Sequence, residues 1–135
     1  MNQRWAARNS SYAIIRLMHK ASGRPIDPIL PYAMVRRDDR VRVMTFLLDI
    51  GANIDAAEDD FTSPGMFHWG SAINFASCSE GDEELEILLG RGARVDIPAF
   101  HGKTCLEIAK DAGMDRKVEL IEAYIERNKN ASKSL

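Results

Sequence analysis

The feature that most restricts how this chain can fold is a helix stop that occurs twice in nearly the same words. Leu47-Leu48-Asp49-Ile50-Gly51-Ala52-Asn53-Ile54-Asp55 aligns with Leu88-Leu89-Gly90-Arg91-Gly92-Ala93-Arg94-Val95-Asp96, and Leu17 to Asp27 is a looser copy with its glycine at Gly23. In each, an apolar run stops at a glycine, and an Ile or Val followed by Asp comes shortly after. A helix ends readily where one residue turns left-handed, and glycine does so without a Cβ clash. Gly51 and Gly92 are therefore expected at positive φ. Ile54 and Val95 are placed to tuck under the helices, and the Asp beside each starts a turn. A stop signal that recurs along the chain implies similar units in series.

Helical stripes lead into these stops. Met44, Leu47 and Leu48 fall at i, i+3, i+4, as do Leu85, Leu88 and Leu89, while Val118, Ile121 and Ile125 fall at i, i+3, i+7. A shorter helix precedes the long one in two units, over 71–76 and 104–109, with Ser71 and Thr104 as capping hydroxyls. The pattern predicts helices near 2–8, 12–21, 31–36, 40–50, 71–78, 82–90, 104–112 and 115–127.

Gly102-Lys103-Thr104-Cys105-Leu106-Glu107-Ile108-Ala109, and the run from Ala76 to Gly92, resemble the ankyrin repeat. That repeat has a period of about 33 residues and opens its first helix with Thr-Pro-Leu-His-x-Ala. The resemblance implies an all-α fold, an α-solenoid of helix-turn-helix repeats joined by short β-turn or hairpin connections. It covers residues 1–127 as units 1–22, 23–50, 51–91 and 92–127. Residues 128–135 are polar and expected to be a disordered tail. The chain departs from the pattern: the signature His is Asn74 in one unit and Glu107 in the next, and the signature Pro is Ala72 and Cys105, with only Pro31 kept. The interval from Gly23 to Gly51 is shorter than the family period, and that from Gly51 to Gly92 is longer. The longer interval puts an insertion between Asp59 and Gly70.

What the resemblance implies for function is a non-catalytic protein–protein interaction module, a scaffold without cofactor or metal. Ankyrin stacks bind with their turn tips and the polar face of the first helices. Carried onto this sequence, that surface is Asn74, Ser77 and Cys78 in the third unit, Phe100, His101, Glu107, Lys110 and Asp111 in the fourth, and Arg36 and Arg37 in the second. The insertion adds Phe61, Met66, Phe67, His68 and Trp69, apolar and aromatic side chains at a place that is polar in an ordinary turn. Aromatics are typical interface anchors. Either they meet a partner, or they fold back and enlarge this domain's own core. A rival reading of the whole chain is a truncated or divergent piece of a larger repeat protein with no binding activity of its own, since Met1 falls where the first helix of a unit should start.

Other function classes find little support. The net charge is -2, and the arginines at 36, 37, 40 and 42 are interrupted by Asp38 and Asp39, which reads as a solvated helix start and not a nucleic-acid stripe. No apolar run approaches the ~18 residues that read as a membrane span, and the N-terminus lacks the apolar core of a secretory signal. With two cysteines, Cys78 and Cys105, a disulfide framework is not expected, and the cytoplasm or nucleus is. His19, His68 and His101 have no partners at metal-ligand spacing, and no nucleophile elbow or phosphate loop appears. The acidic run Glu80, Asp82, Glu83, Glu84 and Glu86 suits a helix N-terminus. The chain is expected to be a monomer, with the open side of its N-terminal unit as the place for any self-association.

Overall fold

The computed structural model describes residues 7–8, 10–22, 30–34, 36, 38–58, 70–99 and 102–133. It is mostly helical, with a single small β-hairpin among the described residues. In chain order the elements are α1 (Tyr12–Ser22), α2 (Leu30–Met34), α3 (Arg40–Asp49), β1 (Ala57–Glu58), β2 (Gly70–Ser71), α4 (Ala72–Ala76), α5 (Glu83–Gly90), α6 (Cys105–Asp111) and α7 (Asp115–Lys133).

Three helix ends are closed in the same way. After α3, the Gly51 N–H donates to the Leu48 carbonyl at 3.1 Å and the Ala52 N–H to Leu47 at 2.9 Å. After α5, Gly92 and Ala93 donate to Leu89 and Leu88 at 3.1 and 3.0 Å; after α6, Gly113 and Met114 donate to Lys110 and Ala109 at 3.1 and 3.0 Å. This paired closure satisfies the last orphan carbonyls of a helix and needs a left-handed residue at its centre. The glycines have φ of 99°, 85° and 70°, so the expectation for Gly51 and Gly92 holds and Gly113 adds a third instance. Ile54 and Val95, just past two of these stops, pack half-buried against the core.

Helix packing alternates along the chain. α2 lies against α3, α4 against α5, and α6 against α7; in addition α2 meets α4 and α4 meets α6, while α3 meets α5 and α5 meets α7. One apolar cluster runs through these contacts from Ile15 and Leu30 through Met44, Ile73 and Leu88 to Ile121. α1 joins through rings: Tyr12 and His19 both meet Phe46 of α3 edge-on, with centroids 5.5 and 5.9 Å apart. β1 and β2 pair antiparallel, Ala57 opposite Ser71 and Glu58 opposite Gly70, and residues 59–69 of the sequence join them.

Some boundaries move. α2 stops at Met34, short of the expected 36, and α4 covers Ala72–Ala76 within the expected 71–78. Of the helix expected over 2–8, Ala7 and Arg8 are described and are helical. The disordered tail expected from residue 128 is corrected: α7 runs on past Arg127 to Lys133. No glycine or proline interrupts residues 128–133, and an existing helix gains one hydrogen bond for each residue it adds. Among the described residues no helix is long and apolar enough to cross a membrane.

Candidate interaction surface

The polar residues expected to form a binding face separate into two groups. Asn74 and Ser77 on α4 are fully buried, each 0% exposed, which corrects their assignment to an accessible surface. α4 is held between α2 and α6, so this helix is interior. Ser77 Oγ donates to the Asn74 carbonyl at 2.6 Å, and Asn74 Nδ2 makes a long 3.5 Å bond to the Ile97 carbonyl. Asn74 Oδ1 and the neighbouring Ser71 Oγ have no hydrogen-bond partner among the described residues.

Arg36, expected at the surface, is also buried. Its guanidinium donates to the carbonyls of Ala7 at 2.9 Å and Ser10 at 2.7 Å, and grips the Asp39 carboxylate at 2.8 and 3.2 Å. It thereby ties the N-terminal residues to the start of α3. Asp39 there takes φ 52°, a left-handed conformation that Asp tolerates better than most residues.

The polar residues of α6 remain accessible. Glu107, Lys110 and Asp111 are exposed. Thr104 Oγ1 accepts from the Glu107 N–H at 3.4 Å while Glu107 Oε1 accepts from the Thr104 N–H at 3.2 Å, a complete capping box. Lys103 pairs with Asp111, and this hydrogen bond raises the pKa of the lysine. Lys103, Glu107, Lys110 and Asp111 thus form one exposed patch of alternating charge. The turns after α3 and α5 also touch: Asp55 Oδ1 accepts from the Arg94 N–H at 2.8 Å, and the Arg94 guanidinium grips Asp96 at 3.1 and 3.0 Å. Phe61, Met66, Phe67, His68, Trp69, Phe100, His101 and Arg37 lie outside the described residues.

A cleft of about 820 Å³ opens between the start of α3 and the connection from α4 to α5, with Asp39, Arg40, Arg42, Phe75, Cys78, Glu80 and Glu84 on its walls. Arg40 crosses it, its guanidinium 5.4 Å from the Phe75 ring centroid and 3.5 Å from Glu84 Oε1. Beneath the cleft lies Lys117, which the sequence reading passed over. It is 1% exposed; Nζ donates to the carbonyl of Ala76 at 2.9 Å and to that of Gly81, and lies 3.5 Å from Asp82 Oδ1. A cation at the C-terminal end of α4 complements the orphan carbonyls and helix dipole there. The available sequence signal was a lysine in line with the apolar positions Ile121 and Tyr124, at i+4 and i+7.

Burial pushes the Cys78 thiol up, with the Lys117 charge opposing, and pushes Cys105 up to about 11. Cys105 Sγ is 3.7 Å from the Val95 carbonyl, a weak contact of a buried thiol. Among the described residues no three His, Cys, Asp or Glu side chains come together as metal ligands would. The exposed groups are charged ends on short helices and tight turns, suited to meeting another surface through salt-sensitive contacts. No protein-family model matches this sequence, and no curated protein matches it either.

Proposed function

We propose that the chain is a divergent ankyrin-type stack that works as a non-catalytic protein-interaction module. The observation that carries this reading is the packing order, α2 to α4 to α6 in one row and α3 to α5 to α7 in the other. Stacks of two-helix units pack in this way, each unit meeting its neighbours. The three matching glycine closures support it, as does the Asp55–Arg94 contact between successive turns. The accessible surface in this reading is the charged patch of Lys103, Glu107, Lys110 and Asp111 together with the turn at Arg94 and Asp96. The aromatic segment 59–69 adds anchors on the strength of its sequence alone.

Affinity capture from a cell extract tests it when done with three baits: the wild-type chain, the charge-exchanged Lys110→Glu/Asp111→Lys variant, and a deletion of residues 63–69. Circular dichroism first checks that each bait keeps its helical content. A protein held by the wild type and lost from at least one of the folded variants supports the module. Identical capture by all three baits overturns the assigned surface.

A further inference from the structure

The cleft between α3 and the α4–α5 connection has an unfilled acceptor in its wall. Glu84, in the first turn of α5, is 8% exposed. An ionised carboxylate offers about four acceptor positions on its two oxygens. Glu84 uses one of them, in the long 3.5 Å contact from Arg40 to Oε1, while Oε2 is buried with no hydrogen-bond partner among the described residues. Gly81, also on the cleft wall, leaves room beside that oxygen: a Cβ there would lie 3.4 Å from Oε2. Gly81 lacks the positive φ of the stop glycines. Its backbone therefore does not call for glycine, and what the missing side chain provides is space.

The cations around this oxygen are committed elsewhere. Lys117, under the cleft, spends its ammonium on the Ala76 and Gly81 carbonyls and on Asp82. Arg36 holds Asp39, and Arg42 stands over the Tyr12 ring at 4.0 Å. Glu80, also on the cleft wall, is exposed and has no basic partner among the described residues. The unmet demand is for a positively charged donor. The Phe75 ring accepts one such group, the Arg40 guanidinium at 5.4 Å. We propose that the cleft seats a lysine or arginine side chain from a basic peptide segment of a partner protein. Its charged nitrogen donates to Glu84 Oε2, and its stem lies against Phe75 and Val41. Arg40, half-buried, covers this position in the free chain and gives way on binding. Its 3.5 Å contact is longer than the ~2.7–2.9 Å of a good charge-assisted bond, so the exchange favours the incoming group. The inference uses only the local packing of α3 on α5, so it stands or falls apart from the stacked reading and from the α6 patch.

Nuclear magnetic resonance titration of the isotope-labelled chain tests it with a short blocked alanine peptide carrying a single lysine, and with versions carrying arginine or norleucine instead. The lysine or arginine peptide should shift the amides of Phe75, Gly81 and Glu84, with a dissociation constant in about the millimolar range that rises with salt. The norleucine peptide, of similar shape but neutral, should not. Glu84→Gln should weaken binding about tenfold or more, the worth of a hydrogen bond to a charged group. Gly81→Ala should do the same by filling the space beside Oε2. Arg40→Gln should tighten binding by removing the cover. Amide spectra check that each variant folds, and Gly81→Ala carries the test if Glu84→Gln does not. Absence of cleft shifts up to about 10 mM of either basic peptide overturns the proposal. So do equal shifts with the norleucine peptide, or an Arg40→Gln variant that folds and does not tighten. So do shifts that follow the exposed Glu107 and Asp111 and survive both Glu84→Gln and Gly81→Ala.

Discussion

α4 and α6 begin alike and are held in opposite ways. Each follows a hydroxyl residue with extended backbone, Ser71 at φ −82° and ψ 170° and Thr104 at φ −76° and ψ 167°. Thr104 completes its capping box with Glu107, three residues on, in an exposed position. Ser71 has Asn74 at the same spacing, yet Ser71 Oγ and Asn74 Oδ1 are buried with no partner among the described residues, and the far end of α4 is fastened by Lys117 reaching from α7. The inner helix therefore depends on its neighbours, while the outer one carries its own stabilising bonds. The same local frame serves both because packing replaces capping once a helix is covered on both sides.

Removing Lys117 should break that dependence most severely. Lys117→Ala removes the buried ammonium from the Ala76 and Gly81 carbonyls, leaving them the weaker Ser79 hydroxyl at 3.2 and 3.5 Å, and is expected to cost about 2 kcal/mol, since a hydrogen bond to a charged group contributes ~1.5–3 kcal/mol. Lys103→Ala, just before the self-sufficient outer helix and paired with Asp111 at its end, should leave the urea midpoint unchanged, because that ion pair is exposed. Equal loss in the two variants would erase the distinction.

Glycines probe the same contrast at the backbone. A Cβ at Gly70, beneath the inner helix, would stand 2.7 Å from Asn74 Nδ2 and 3.0 Å from Ala99 Cα, whereas one at Gly113 or Gly51 meets nothing within 4 Å. All three have positive φ, so alanine strains each by ~1–2 kcal/mol. Gly70→Ala should exceed that range and the other two should stay within it, as read from denaturation midpoints.

The caps themselves give a smaller and opposite pair. Thr104→Ala should cost about 1 kcal/mol through loss of the box. Ser71→Ala removes a buried oxygen that has no partner, so it should be neutral or slightly stabilising. A matching loss at Ser71 would mean that its hydroxyl is bonded in solution.

The thiols give the smallest effect. Cys105 is buried with its pKa raised to about 11, and Cys78 is half-buried. At pH 8 a thiol reagent should label Cys78 first, and Cys105 only as the protein unfolds. Because the folded pKa of Cys105 lies above the ordinary thiol value, its contribution to stability is full below about 9 and declines as pH rises toward 11. The wild type should therefore lose stability over that window, and Cys105→Ala should flatten the loss.

Much of the helical layout was legible because it is local. Gly51 and Gly92 announce their closures with neighbouring residues alone, and Thr104 with Glu107 spells a capping box within four positions. The candidate surface was legible only where the last short helix is uncovered, at Glu107, Lys110 and Asp111. Asn74, Ser77 and Arg36 are polar by composition, and their burial depends on carbonyls and helices distant in sequence: Ile97 for Asn74, Ala7 and Ser10 for Arg36. Lys117 likewise answers carbonyls far upstream. Periodicity records which face of a helix is apolar, but not that a single cation on that face will find three partners across the core.

The open stack itself is tested most directly by methyl nuclear Overhauser contacts in solution. An open stack predicts contacts from Ile73 of α4 to both Leu30 or Met34 of α2 and Ile108 or Ala109 of α6, with a parallel series linking α3 to α5 and α5 to α7. Methyls of α2 and α6 should then share no direct contact. Strong contacts between α2 and α6, or none between α4 and α6, would mean a closed bundle and would contradict the stacked arrangement on which the proposed interaction module rests.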